Sequence, residues 1–150
     1  MSRGEAEART VAGEAPLQVI QPEGWKRPRG YSNGIVAEGR VLFVGGQIGW
    51  DENEVFHSDD FVAQWEQALR NVLAVVRAAG GGPEHVARMT VYVVDKREYQ
   101  ARLSEIGAVW RRHMGRHYPV MALVVVAGLL EDRARVEIEA TAVLPSAGAR

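Results

Sequence analysis

The clearest indication of the fold is a segment in the last third of the chain. It reads His117-Tyr118-Pro119-Val120-Met121-Ala122-Leu123-Val124-Val125-Val126 and, after a short loop, Arg135-Val136-Glu137-Ile138-Glu139-Ala140-Thr141-Ala142. From Val120 to Ala127 no position is polar, which is typical of a strand that is buried on both faces. From Arg135 onward apolar and polar residues alternate, as in a strand with one buried face. The chain is therefore predicted to end in two strands, over residues 120–127 and 135–144.

The rest of the chain predicts two amphipathic helices among further strands. Apolar residues at a 3.6-residue spacing indicate a first helix between Ser58-Asp59-Asp60 and Gly80-Gly81-Gly82-Pro83. Asp95 is the expected N-cap of a second helix, which runs to about Met114. The remaining apolar runs predict strands at residues 17–20, 34–37, 41–44 and 86–94, and we expect the second and third of these to pair. This order predicts an α+β fold in which a mixed sheet carries two helices on one face.

The chain has the length and composition of one domain. Its 150 residues are 47% apolar and 25% charged, which suffices for a single core. We expect the domain at residues 16–145, between a charged, disordered tail at 1–15 and a short tail at 146–150. Because two helices can cover only one face of the sheet, the apolar strand at 120–127 predicts that a second copy of the chain covers the other face.

Two motifs near the start of the chain complete a resemblance to a known family. They are Gly30-Tyr31-Ser32-Asn33-Gly34 and Phe43-Val44-Gly45-Gly46-Gln47-Ile48. Together with the strands of the last third, they make residues 17–144 resemble the Rid (YjgF) family of imine and enamine deaminases. The resemblance implies a chorismate-mutase-like fold and a homotrimer, whose sheets form a central barrel with a site between each pair of subunits.

The resemblance also assigns roles to individual residues. Tyr31 stands where the family has the tyrosine of its Gly-Pro-Tyr-Ser loop, although Arg29-Gly30 precede it here. Gly46 matches the glycine of the family's Ser-Gly-Gln motif, whose backbone faces the site, and Glu137 matches the strand glutamate that holds the attacking water. Near Leu103-Ser104, by contrast, no asparagine matches the one that many members carry on the second helix.

One further departure concerns the substrate. Two residues after the proline, the family's typical deaminases have an arginine that clamps the substrate carboxylate, and here that residue is Met121. A methionine cannot donate a hydrogen bond. The candidates for another anion-binding group are Lys26, Arg27 and Arg29 in the loop before the tyrosine, and Arg88 on the polar face of its strand. Each of these is also explained as a solvated surface charge.

Glu137 itself has two interpretations. Hydrolysis of a C=N bond requires a group that orients water and accepts its proton, and a carboxylate can do both. Strand alternation alone, however, explains Glu137 and Glu139 as residues that face solvent. The resemblance favours the catalytic role for Glu137 and a structural role for Glu139.

Composition and spacing argue against several other functions. The chain has no cysteine, and its net charge of −1 creates no bulk field that would attract nucleic acid. It has neither an apolar stretch of membrane-spanning length nor an apolar leader, so we expect a cytoplasmic protein. His113 and His117 have the spacing of zinc ligands on a helix, but Gly115 lies between them without a third ligand nearby. We expect neither a metal nor an organic cofactor.

The sequence thus leads to one function and one alternative. The first is hydrolytic deamination of an imine or enamine, with release of ammonia. Since Met121 replaces the arginine, the substrate is expected to differ from 2-aminoacrylate, and the resemblance suggests a 2-aminomuconate-like compound. The alternative is a non-catalytic protein of the same fold that binds a small molecule or promotes stability.

Overall fold

The computed structural model describes residues 16–146. The tail predicted at 1–15, and all but the first residue of the tail predicted at 146–150, lie outside the described residues. Within residues 16–146 the chain forms six strands, β1 (Leu17–Ile20), β2 (Gly34–Ala37), β3 (Arg40–Ile48), β4 (Val86–Val93), β5 (Val120–Val125) and β6 (Val136–Leu144). The same residues form three α-helices, α1 (Phe61–Ala78), α2 (Lys96–Ala101) and α3 (Leu103–Met114), and a 3-10 turn at Pro83–His85.

Four of the strands form the mixed sheet that the sequence predicts. Their order is β3-β6-β4-β5, in which β4 and β5 are parallel and the other pairs are antiparallel. β1 and β2 form a separate antiparallel pair. The predicted pairing of β2 with β3 is therefore wrong. Only Glu38 and Gly39 separate these strands, and β3 pairs with β6 from its first residue, Arg40. Gly39 has a φ of 146°, and a Cβ there would overlap the Leu144 carbonyl, so the close approach requires glycine.

The helices cover one face of the sheet. α1 contacts β3 and β6, and α3 packs against α1. Their apolar stripes bury Trp65, Leu69 and Trp110 against Met89 and Ile138 of the sheet. The predicted second helix is two helices in the structure, because α2 ends at Ala101 and α3 begins at Leu103. The two-layer arrangement with helices on one face is confirmed.

Side-chain alternation on β6 separates the helix-covered face of the sheet from its open face. Val136, Ile138 and Ala140 are buried beneath the helices, whereas Glu137 and Glu139 lie on the opposite face and are partly exposed. The open face is also apolar in places: the side chain of Phe43 is 80% exposed, and that of Val124 on β5 is 41% exposed. β5 is thus not buried on both faces within one chain.

Candidate functional site

The first candidate site is a contact between a glutamate and a glycine on neighbouring strands. A β-bulge interrupts the pairing of β3 with β6, so that Gly45 and Gly46 fall outside the regular register between Val44 and Gln47. A Cβ built at Gly46 would overlap the carboxylate oxygen Oε1 of Glu137. The glycine backbone therefore lies directly against the glutamate side chain, and any larger residue at position 46 would displace that side chain. At Gly45 a Cβ would meet nothing within 4 Å.

A second glutamate on the same strand has a different environment. The Tyr92 hydroxyl donates a hydrogen bond of 2.7 Å to Oε1 of Glu139. This hydrogen bond, together with the charges of Glu139 and Glu137, raises the pKa of Tyr92 above its ordinary value. Glu139 thus has a protein partner, whereas Glu137 has no side-chain hydrogen bond among the described residues. The difference is consistent with a structural Glu139 and leaves the Glu137 carboxylate available to a ligand or water.

An open hollow of about 440 Å³ lies beside these residues on the open face of the sheet. Its polar lining side chains are Arg88, Thr90, Glu139 and Thr141, and Phe43 forms part of its apolar wall. Arg88, one of the predicted anion-binding candidates, therefore shares its hollow with a carboxylate. One positive and one negative side chain give this hollow no preference for anions.

A second concavity, the helix-side groove, lies on the opposite side of the sheet. It has a volume of about 310 Å³, near the lower end of the range for small-molecule sites. Its lining residues are Arg29, Gly30, Trp65, Tyr99, Leu103, Ile106, Gly107, Trp110, Arg111, Tyr118 and Met121. Met121 is partly buried and packs against the core from the helix side, next to Met89 in the parallel register of β4 and β5.

Aromatic pairs form much of the wall of this groove. The rings of Trp110 and Tyr118 are stacked, with centroids 6.1 Å apart and an interplanar angle of 6°. Trp65 and Tyr99 are also stacked, with centroids 5.9 Å apart. Burial raises the pKa of Tyr99, so its hydroxyl stays protonated and can donate a hydrogen bond. The indole nitrogen of Trp65 is buried and has no hydrogen-bond partner among the described residues.

The structure places the predicted site residues in two groups that one chain does not bring together. Gly46 and Glu137 are in contact on the open face of the sheet. Arg29 and Met121 line the groove on the helix side. Tyr31 lies near the second group, at the start of β5. The next residue, Ser32, forms a β-bridge with Val120, and the Ser32 amide donates a hydrogen bond to the Pro119 carbonyl.

Lys26 and Arg27, the other predicted candidates for anion binding, line neither concavity. Both are exposed. Their residue type is suitable, but their position in the loop does not direct them to either candidate site.

Arg111 is a candidate binding residue that the sequence analysis missed. It lies on α3, lines the helix-side groove and has no side-chain hydrogen bond or ion pair with any described residue. Gly107, one helical turn earlier, also lines the groove. The i, i+4 spacing of this glycine and arginine, on the stripe that begins at Leu103, is the sequence signal that could have indicated it. Leu103 itself is 51% exposed and also lines the groove.

The structure supplies no grouping of side chains typical of a metal site in residues 16–146. His113 lies 3.5 Å from Glu66, whereas Nε2 of His117 lies 2.6 Å from the carbonyl oxygen of Val86. The two histidines that have zinc-like spacing therefore contact different partners. Across the described part of the chain, none of the helices has both the length and the apolar character needed to span a membrane.

Comparisons with known proteins identify the family to which the chain is similar. The sequence profile of the family described as Endoribonuclease L-PSP matches residues 25–144. The chain is 33% identical over 136 residues to a 2-iminobutanoate/2-iminopropanoate deaminase of Salmonella typhimurium, covering 91% of this chain and 98% of that protein. It is 32% identical over 126 residues to a RutC family protein of Pyrococcus horikoshii, covering 83% of this chain and 96% of the relative.

Solved structures give the same result for the fold. A Rid family protein of unknown function, YyfB from Yersinia pestis, superposes with a TM-score of 0.77 at 32% identity, covering 86% of this chain and 99% of the other. The YjgF gene product of E. coli superposes with a TM-score of 0.62 at 31% identity, covering 84% of this chain and 98% of the other. In sequence and in fold, this chain belongs to the Rid (YjgF) family, whose profile carries the description Endoribonuclease L-PSP.

Proposed function

We propose that this protein hydrolyses the C=N bond of a small imine, or of the imine tautomer of an enamine, and releases ammonia. The observation that carries the proposal is the contact between the Gly46 backbone and the Glu137 carboxylate. This contact holds the carboxylate on the open face of the sheet. Among the described residues, the carboxylate has no side-chain hydrogen-bonding partner. The name of the Salmonella relative, an imine deaminase, supports the same reaction class.

The reaction needs only water and a proton acceptor. Glu137 would orient a water molecule toward the imine carbon and accept a proton as the C–O bond forms, while the C=N electron pair moves to nitrogen and is protonated. In the resulting carbinolamine a proton moves from the hydroxyl group to the nitrogen, and ammonia leaves as the C–N bond breaks, which leaves a carbonyl product. Neither a metal nor an organic cofactor has a role in this proposal.

We also propose that the complete site forms between two copies of the chain. Glu137 and Gly46 lie on one face of the sheet, and Tyr31 and Met121 lie at the β5 edge and on the other face. One chain cannot bring these residues around a small substrate, whereas neighbouring chains can. A homotrimer would also cover Phe43 and Val124, which are exposed in one chain.

A second candidate function is a binding protein that has lost the chemistry. Met121 favours it, because a thioether cannot form the charged, bidentate contact through which arginine binds a carboxylate. In this alternative the pocket and the assembly are the same, and a ligand stabilises the oligomer without being converted. The proposed location is cytoplasmic under either function, and we propose no nucleic-acid partner.

The deciding experiment measures ammonia release over a panel of freshly generated imino acids and unsaturated amino acids. We expect release above the uncatalysed rate for at least one compound other than 2-iminopropanoate. Saturable stabilisation of the oligomer by panel compounds, with no release from any of them, would instead identify the binding protein. Cleavage of an RNA included in the panel would contradict both proposals.

A further inference from the structure

The charge of the helix-side groove differs from that of the rest of the site. Two guanidinium groups, those of Arg29 and Arg111, line it, and no aspartate or glutamate does. The hollow on the open face, in contrast, contains both Arg88 and Glu139. The low-dielectric walls of a concave site concentrate the electrostatic potential of the charges that line it. The groove, with two positive charges, therefore attracts anions. The hollow, with one charge of each sign, does not.

Arg29, in a loop, and Arg111, on α3, also differ from other arginines on the helices. Arg112, the next residue on α3, pairs with Glu66, and Arg102 pairs with both Asp60 and Glu105. Arg29 and Arg111 have no ion pair and no side-chain hydrogen bond within residues 16–146. Their donors are therefore available to a ligand without the loss of an existing pair.

The Arg111 side chain lies beside Gly107. Its Nη1 atom lies 3.4 Å from the point that a Cβ at Gly107 would occupy. The arginine side chain therefore lies back over the preceding turn of α3, next to this glycine. This arrangement places the guanidinium at the groove, beside Trp110 on the same helix.

The walls of the groove indicate what kind of molecule would accompany the anion. The half-buried rings of Tyr99 and Tyr118, which stack on the buried Trp65 and Trp110, supply the accessible aromatic surface. Such a surface favours a flat, unsaturated body.

We propose that Arg111, together with Arg29, binds the anionic group of a small carboxylate that has an unsaturated or aromatic body. Arg111 thereby supplies from α3 the charge that Met121 does not supply from β5. The identification of this ligand as the substrate rests on the proposed function, but the binding itself does not. Arg111 is a binding and specificity residue in this proposal, and it takes no part in proton transfer.

The test is calorimetric titration of the assembled wild-type protein with benzoate, and with benzamide as the uncharged probe of equal shape. We expect saturable binding of benzoate and much weaker binding of benzamide. Arg111→Gln should weaken benzoate binding roughly ten- to a hundredfold, as expected for loss of a hydrogen bond to a charged group. Arg111→Lys should restore part of the affinity, because it returns the charge without the fork of donors.

Arg112→Gln is the matched control, because it removes an adjacent arginine that already pairs with Glu66. It should leave benzoate affinity unchanged, and equal melting temperatures of the two glutamine variants would show that both fold. Equal effects of the two variants, equal binding of benzoate and benzamide, or absence of benzoate binding would each overturn the proposal.

The outcomes also separate this inference from the proposed deaminase activity. If no compound releases ammonia but benzoate binding depends on Arg111, the binding proposal stands and the deaminase proposal fails. If ammonia is released and Arg111→Gln leaves the KM unchanged, the deaminase proposal stands and the role of Arg111 is wrong.

Discussion

The two sides of the central sheet position their functional groups differently: the open face by backbone contact, and the helix side by side chains that line a groove. On the open face, the backbone of a bulge in β3 lies against the Glu137 carboxylate, and a side chain at position 46 would displace that carboxylate. On the helix side, side chains from a loop, α3 and β5 line a groove in which Arg29 and Arg111 have no described partner. The position of a carboxylate that lies against the backbone depends on the fold itself. Side chains that line a groove, in contrast, can be substituted without altering the fold. We infer that the reaction is set by the open face and the choice of substrate by the groove.

The largest effect is expected at Glu137. Glu137→Gln keeps the size of the side chain but cannot accept the water proton, so turnover should fall by about 10²–10⁴-fold. Stability and carboxylate binding in the groove should remain, because the groove lies on the other side of the sheet. Steady-state ammonia release and a denaturant titration provide the measurements.

Glu139→Gln is the control for this variant. Its amide oxygen can still accept the hydrogen bond from the Tyr92 hydroxyl, so a mild effect is expected. Full activity of both variants on the true substrate would show that Glu137 is an ordinary strand residue.

The second prediction concerns the groove. Wild-type activity on 2-iminopropanoate should be weak, and Met121→Arg should raise kcat/KM by about tenfold or more, because a charge-assisted hydrogen bond contributes ~1.5–3 kcal/mol. Met121→Leu supplies no donor and should give no increase. Rapid turnover of 2-iminopropanoate by the wild-type protein would contradict the interpretation of Met121.

A pair of adjacent glycines tests how the open face is built. Gly46→Ala inserts a methyl group into the space of the Glu137 carboxylate, so it should turn that flexible side chain away and lower activity, at a stability cost of less than about 1 kcal/mol. Gly45→Ala meets open space and should be nearly neutral in both respects. The comparison is made by denaturant unfolding and ammonia release, and equal behaviour of the two variants would refute the close contact.

The smallest effect is expected at the start of α1, the helix that carries Trp65 to the groove. The Asp60 side chain accepts a hydrogen bond from the Ala63 amide as the helix N-cap. Asp60→Ala should therefore cost about 1 kcal/mol of stability, with no change in the ligand preference of the groove. Thermal unfolding and the benzoate titration measure the two quantities, and an altered ligand preference would mean that the groove depends on this cap.

The same residue gives a pH dependence. The hydrogen bond from Arg102 holds the pKa of the Asp60 carboxyl below its ordinary value of 3.8. Because the folded pKa is lower than the unfolded one, the contribution to stability is complete above pH 3.8 and is lost as the pH falls through the lowered value. The stability difference between wild type and Asp60→Asn should therefore narrow below pH 3.8.

Much of the fold could be predicted because it follows from local patterns. β1 and β2 were predicted to the residue, and the alternation on β6 correctly separated Ile138 from Glu137 and Glu139. The pairing of β2 was not predictable in this way, because a two-residue turn is compatible with a hairpin and only the long-range pairing of β3 with β6 excludes it. The helix break at Arg102, which has φ −116° and ψ 18°, follows from no glycine or proline in the sequence, and the Arg102 side chain there binds both Asp60 and Glu105.

The candidate site was predictable only where sequence neighbours determine it. Gly46 and Glu137 follow from motifs, and the structure brings them into contact. Arg111 was hidden because it lies on α3 in a run of basic residues, and a basic helix end is usually solvated. Arg111 and Met121 line the same groove only through the tertiary packing of α3, which no local pattern specifies.

We propose that two chains supply the two parts of each site, and the mass of the protein in solution decides whether such a site can form. Light scattering at micromolar concentration should give a mass three times the 16.5 kDa of one chain. We expect each interface of this trimer to bury about 2,000 Å² or more, as in other permanent assemblies. A stable mass of 16.5 kDa would contradict the claim, because a single chain keeps Glu137 and the helix-side groove on opposite sides of its sheet.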